Sequence, residues 1–251
     1  MSMRHLLKRY NRKPDFQMEP LRARKVTLVL NGETGRFFAY RVGDRFLWID
    51  YDYPGGVVKQ YYDCETRARF SVNGEECLEL HWDFYEKKGG RFALDGQSDS
   101  YVAVGERDVA EILWIHRDAK APEGKPSGNI QIRRIVTPRR IKLGDRWRFV
   151  EHWFWKEAKA RERITEEADG LFRVRIFARE HETLRIRSVK RGPKRSSMAD
   201  SYVDLKTGLT VFFRRYNGPG WKNLDKLANE EKVAVGKTTF LHWYDSVPFR
   251  D

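Results

Sequence analysis

Histidines at positions 5, 81, 116, 152, 181 and 242 are the side chains of this sequence best suited to move protons near neutral pH. Three of them stand directly before tryptophan, in LHWDFY (80–85), EHWFW (151–155) and LHWYD (241–245). On a strand such neighbours point to opposite faces, so each Trp can enter a core while its His faces away. One reading of the recurrence is purely architectural. The other sets His81, His152 and His242 on one concave surface as general acid–base groups or metal ligands. No HxH, HExxH or carboxylate-bridge spacing accompanies them, so no metal is expected. His81 and Asp83 share a strand face, where the carboxylate can orient the imidazole. Glu180-His181-Glu182 reads as a solvated turn.

Positive charge is the second chemical signal. The chain carries a net +13, distributed as +6 over residues 1–25, −5 over 26–125 and +12 over 126–251. Such asymmetry predicts that one surface meets an anionic partner, against the alternative that it only keeps the protein in solution. The densest cations are Arg133 and Arg134, followed by the segment from Arg185 to Arg195. Arg185 and Arg187 alternate with Leu184 and Ile186, so a strand would present both to one side. Lys190, Arg191, Lys194 and Arg195 then enter a Gly-Pro loop suited to phosphates or carboxylates. These eight residues are the expected anion-binding set. The candidate partners are an acidic saccharide, a lipid headgroup surface, nucleic acid or an acidic protein.

Several classes find no support. There is no GxSxG, phosphate loop or GxGxxG, and no cofactor is expected. Cys64 and Cys77 fit no zinc spacing and read as reduced thiols. The Asn73-Gly74 turn would place Phe70, not Cys64, opposite Cys77. No apolar run reaches the roughly 18 residues of a membrane-crossing helix. The N-terminal segment lacks an apolar signal core, which favours the cytoplasm; its basic, acid-poor composition also suits a mitochondrial presequence.

The elements that must position these groups are mostly strands. Period-2 alternation predicts strands at 26–31, 36–42, 45–51, 57–62, 67–72, 77–85, 101–105 and 110–116. In the second half it predicts them at 130–136, 147–155, 171–178, 183–190, 210–216 and 237–243. Turn signals between them, among them Gly89-Gly90 and Asp169-Gly170, imply an antiparallel meander. Helix-forming composition predicts short helices over 156–168 and 221–234. The expected architecture is a basic arm, 1–25, followed by one mainly β domain, 26–251, with a possible division near 118–129. A long antiparallel sheet of this kind curls into a half-barrel or barrel-like form, or splits into a sandwich.

Two passages resemble the LolA/LolB-type, lipoprotein-carrier-like half-barrels: RFLWIDYDYPGGVVKQYYD (45–63) and SYVDLKTGLTVFFRRYN (201–217), whose Asp204, Thr207 and Gly208 are similar to the Asp-x-x-Thr-Gly turn before a late strand of that fold. The resemblance implies a curved antiparallel sheet around a helix, with an apolar concavity that holds a hydrophobic ligand. The sequence leaves three functional readings open. The first is a binding protein with an aromatic concavity and a basic surface for an anionic ligand. The second is a cofactor-independent enzyme, lyase-like on an acidic polysaccharide or acting on an aromatic metabolite, with His81, His152 or His242 moving the proton. The third is an RNA-binding or assembly subunit, in which arginines meet phosphates and exposed aromatics stack on bases.

Overall fold

Tight reversals organise the meander. At Gly89 and Gly90 φ is 56° and 82°, left-handed values that favour glycine, and the turn sets Lys88 opposite Arg91. The computed structural model describes residues 16–29, 34–35, 38–39, 42–43, 45–52, 57–72, 74–118, 130–155, 158–176, 179–191, 196–206, 208, 210–217 and 240–245. Among these residues there are strands and turns and no helix, as the period-2 reading predicts. The strands are β1 (Phe16–Pro20), β2 (Thr27–Val29), β3 (Thr34–Gly35), β4 (Phe38–Ala39), β5 (Arg45–Asp52), β6 (Val57–Val72), β7 (Glu75–Lys88), β8 (Arg91–Val104) and β9 (Asp108–Asp118). They continue with β10 (Ile130–Pro138), β11 (Arg140–Lys142), β12 (Arg146–Trp155), β13 (Ala158–Ile176), β14 (Arg179–Arg191), β15 (Ser196–Asp204), β16 (Thr210–Asn217) and β17 (Phe240–Asp245).

Thirteen strands form one curved antiparallel sheet in the order β1-β13-β12-β10-β9-β8-β7-β6-β5-β17-β16-β15-β14. Sequence neighbours are mostly ladder neighbours, the signature of hairpin-by-hairpin pairing. β13 joins the two ends. One edge pairs with β12 and then β1, the other with β14, so the ladder meets itself there. Two small ladders, β2–β11 and β3–β4, lie outside this sheet.

The segment 156–168, expected as a helix, runs within β13 from Ala158 onward. Partners on both edges account for the difference: β12 along one side and β14 along the other satisfy the backbone as a ladder. Intrinsic helix propensity is a few tenths of a kcal/mol per residue, small beside such pairing. Asp169-Gly170, expected as a turn, is a bulge in the same strand, where Ala168 faces Ile186 and Gly170 faces Arg185. The expected helix at 221–234 lies outside the described residues.

Two clusters of buried apolar side chains lie on one face of the sheet, while Val174, Ile176, Tyr202 and Phe212 are buried on the other. Cys64, Leu78, Leu80, Val102 and Val109 form one cluster, with Tyr62 and Trp82 against it. Ala168, Leu171, Leu184, Ile186 and Val203 form the other, closed over by Leu28 of β2 and Ile141 of β11. Fully burying each such aliphatic side chain contributes about 1.5–3 kcal/mol. A turn follows β15. Asp204 ends β15, its carboxylate accepts from the Lys206 amide at 2.9 Å, and Gly208 follows with φ 71° before β16.

Candidate functional site

Ladder register decides which candidates meet. Residues directly opposite one another share a face. His81 faces Glu65 and Asp99, Asp99 faces Ile115, Ile115 faces Ile130, and Ile130 faces Phe154. His152, two positions before Phe154, therefore lies on the same face as His81, four strands away. His242 faces Asp50, which faces Gln60, on the opposite face. At about 4.8 Å per strand, the ladder holds the three histidines far apart rather than in one cluster.

His81 sits instead in its own polar network. Its side chain is buried, with Nδ1 2.7 Å from Asp99 Oδ1 and Nε2 3.3 Å from Asp83 Oδ1. Gln97 donates to Asp83 at 2.8 Å, and Arg117 from β9 donates to the second oxygen of Asp99. The hydrogen bond to Asp99 raises the imidazole pKa, outweighing burial, which lowers it. Burial alone would raise Asp99, but His81 and Arg117 bring it below the usual carboxylate range. On the same face, Tyr61 stacks on Tyr85 with centroids 4.5 Å apart, and burial with the neighbouring Tyr85 and acids pushes its hydroxyl up to about 12. Both ring nitrogens of His81 face carboxylates, a setting that holds a proton rather than passing it to a substrate.

The expected anion-binding arginines have specific acidic partners. The β13 bulge turns Asp169 toward β14, where Arg185 donates Nε and Nη2 to it at 2.6 and 3.0 Å. Arg187 grips Asp200 in the same forked manner at 2.9 and 3.1 Å, and reaches Asp169 at 3.4 Å. Asp200 is only 1% exposed. Lys190 meets Glu162 at 2.5 Å. These contacts set Arg185 and Arg187 on one face of β14 and Lys190 on the other, each against carboxylates. Arg133 and Arg134 lie on β10 and Arg191 ends β14; Lys194 and Arg195 lie outside the described residues. His181, expected in a solvated turn, lies within β14 with Nδ1 2.9 Å from Asp204.

A cavity of about 410 Å³ opens beside this cluster. Its walls come from three places: Pro20 at the end of β1 with Leu21 and Ala23 beyond it, Leu143 and Gly144 at the β11–β12 turn, and the β13 bulge from Glu167 to Phe172. Arg185 of β14 completes it, with the guanidinium 4.7 Å from the Phe172 ring centroid. Backbone bonds pin both walls to β13: Leu21 donates to the Leu171 carbonyl at 2.9 Å and Gly144 to that of Ala168 at 2.7 Å. Gly144 has φ 92°, which suits glycine at that reversal. The arrangement combines a largely apolar lining with one part-buried ion pair. Among the described residues no group of three His, Cys, Asp or Glu side chains is placed to hold a metal.

Sequence reasoning named Arg185, Arg187 and Asp83 but missed Asp99, Arg117, Asp169 and Asp200. The sequence matches no protein-family model and no curated protein. The fold is similar to the crystal structure of a candidate lipoprotein from Parabacteroides distasonis, with a TM-score of 0.44 and 7% identity over 81% of this chain and 94% of that one. A likeness of that size carries nothing about ligand or location.

Proposed function

We propose that this is a ligand-binding β protein whose ligand has an apolar body and a carboxylate or similar acceptor head. The cavity at the β13 bulge is the observation that supports it. Leu21, Leu143, Leu171 and Phe172 offer the body an apolar seat, and Arg185 stands at its polar end. Arg185 uses Nε and Nη2 on Asp169. One hydrogen on Nη1 and the second one on Nη2 take no part in those bonds and form an end-on fork that suits a planar acceptor. Asp169 already neutralises the guanidinium, so the head is recognised through hydrogen bonds more than through net charge. The chain's +13 favours encounter with an anionic head without fixing its pose. This reading agrees with the hydrophobic ligand that the half-barrel resemblance implies.

The test is a fluorescence titration with 11-(dansylamino)undecanoate, competed by dodecanoate and by dodecanol. Saturable binding with dodecanoate the better competitor is expected. Arg185→Gln should weaken dodecanoate about tenfold and leave dodecanol nearly unchanged, since one charge-assisted hydrogen bond contributes about 1.5–3 kcal/mol. Ala23→Trp, which fills the mouth without touching an ion pair, should abolish both. Failure of Ala23→Trp to affect binding would remove the cavity from the proposal. Equal competition by acid and alcohol would remove the acceptor head.

A further inference from the structure

His81 is held in a way that a solvated or merely packed histidine is not. Its two ring nitrogens face two different carboxylates, Asp99 of β8 at 2.7 Å and Asp83 of its own strand at 3.3 Å. A neutral imidazole has one N–H and one lone pair. It can satisfy one of these acids, but its lone pair must then face the other. Only the imidazolium donates to both. The network continues outward on either side: Arg117 of β9 donates to Asp99, and Gln97 of β8 donates to Asp83. One proton on His81 thus completes a continuous tie across β7, β8 and β9.

We propose that His81 is a proton-operated clasp that joins β7, β8 and β9 while it is charged, and that its neutralisation as pH rises loosens these three strands. The surrounding charges favour the charged form. Among the described residues, β6 contributes Asp63, opposite Asp83 in the ladder, Glu65, opposite His81, and the countervailing Arg67. β7 contributes Glu79 and Asp83, and Tyr85, stacked on Tyr61 of β6. β8 contributes Asp99 and Tyr101, whose hydroxyl donates to Glu79, and β9 contributes Arg117. Carboxylates outnumber arginines in this set, and burial strengthens each interaction. The direction of the His81 shift, upward through the hydrogen bond to Asp99, agrees.

The sign of the pH dependence follows. A histidine that holds its proton more tightly in the native state stabilises that state fully below the unfolded value of about 6.5. The contribution is lost as pH rises through the native midpoint. Asp99, held below its ordinary value, adds a limb of opposite sense: its contribution is present above about 3.9 and is lost as pH falls through its native midpoint. The clasp is therefore closed between these two limits and opens at both.

Selective ¹⁵N labelling of histidine reads the charge directly, and hydrogen exchange with mass spectrometry reads the strands. At pH 5.5 both His81 ring nitrogens should carry protons, and the titration midpoint should lie above about 6.5. Protection of β7–β9 peptides, corrected for intrinsic exchange, should fall through that midpoint by about tenfold for each pH unit of elevation. Peptides of β14 and β15 should not follow. His81→Gln should show the lowered protection at every pH, and Asp83→Asn, which keeps the Asp99 bond, should lower the His81 midpoint in the folded protein. A midpoint at or below 6.5, or an unchanged midpoint in Asp83→Asn, would overturn the clasp. So would an equal loss of protection with pH in His81→Gln.

Discussion

Replacing Asp200 with Ala tests the arginine–aspartate chain of β13, β14 and β15 most sharply. Asp200 is 1% exposed and accepts Nε and Nη2 of Arg187 at 2.9 and 3.1 Å. Truncation leaves a guanidinium facing an apolar gap. Stripping one partner from a buried ion pair costs about 3–5 kcal/mol. Two features reduce that here: the Arg187 side chain is 23% exposed, and Asp169 remains 3.4 Å away. The expected loss is therefore about 2–3 kcal/mol, or roughly 5–10 °C in Tm for a chain of this size. Urea denaturation of Asp200→Ala, Arg187→Met and the double variant completes the cycle. The double variant, Asp200→Ala with Arg187→Met, should cost less than Asp200→Ala alone, because it leaves no orphaned charge. A single-variant loss below about 0.5 kcal/mol would refute the reasoning, as that is the scale of an exposed pair. So would a double variant as damaging as the single.

Two other substitutable features give direct expectations. A Cβ on Gly96 would meet His116 Cε1 at 2.9 Å and the Arg117 carbonyl at 3.0 Å. Gly96→Ala should therefore cost about 1–3 kcal/mol by urea denaturation; adding His116→Ala should reduce that penalty without removing it, because the carbonyl contact stays. Cys64 and Cys77 are free thiols, 0% and 1% exposed, and burial pushes both thiol pKa values up. Ellman's reagent should label neither within minutes in the native protein and both in 6 M guanidinium chloride, followed at 412 nm.

The sequence made the strand class legible because alternation is local. Asn73-Gly74 predicted Phe70 opposite Cys77, and that pair is present. The polar network was not legible, and a single bulge shows why. Gly89-Gly90 pairs Lys88 with Arg91; continued without interruption, that register would set His81 opposite Ser98. A shift between Phe84 and Tyr85 moves its partner to Asp99 and so assembles the imidazole–carboxylate pair. The bulge at Asp169 does the same for Arg185, converting what reads as a turn into an acid aimed at β14. Bulges insert one residue without a distinctive sequence signal, yet each reverses which side chains meet downstream. The expectation of a helix at 156–168 failed differently: charge-rich composition resembles a helix, but two-sided pairing in β13 is a long-range property. His152 and His242 could be placed only once the ladder order from β7 to β12 and from β7 to β17 was known.

That ladder order also has a consequence in time. β5 takes β6 as one neighbour and β17 as the other, and roughly 190 residues separate Asp52 from Phe240. At translation rates of about 5–20 residues per second, β5 leaves the ribosome roughly 10–40 s before its second partner is made. During that interval its open edge, RFLWIDYD, is aromatic and apolar in most positions. Besides Arg45 at its start, the charges that the segment itself supplies against mispairing with other nascent chains are Asp50 and Asp52. Neutralising both should leave the finished fold its pairings and lower the yield of chains that reach it.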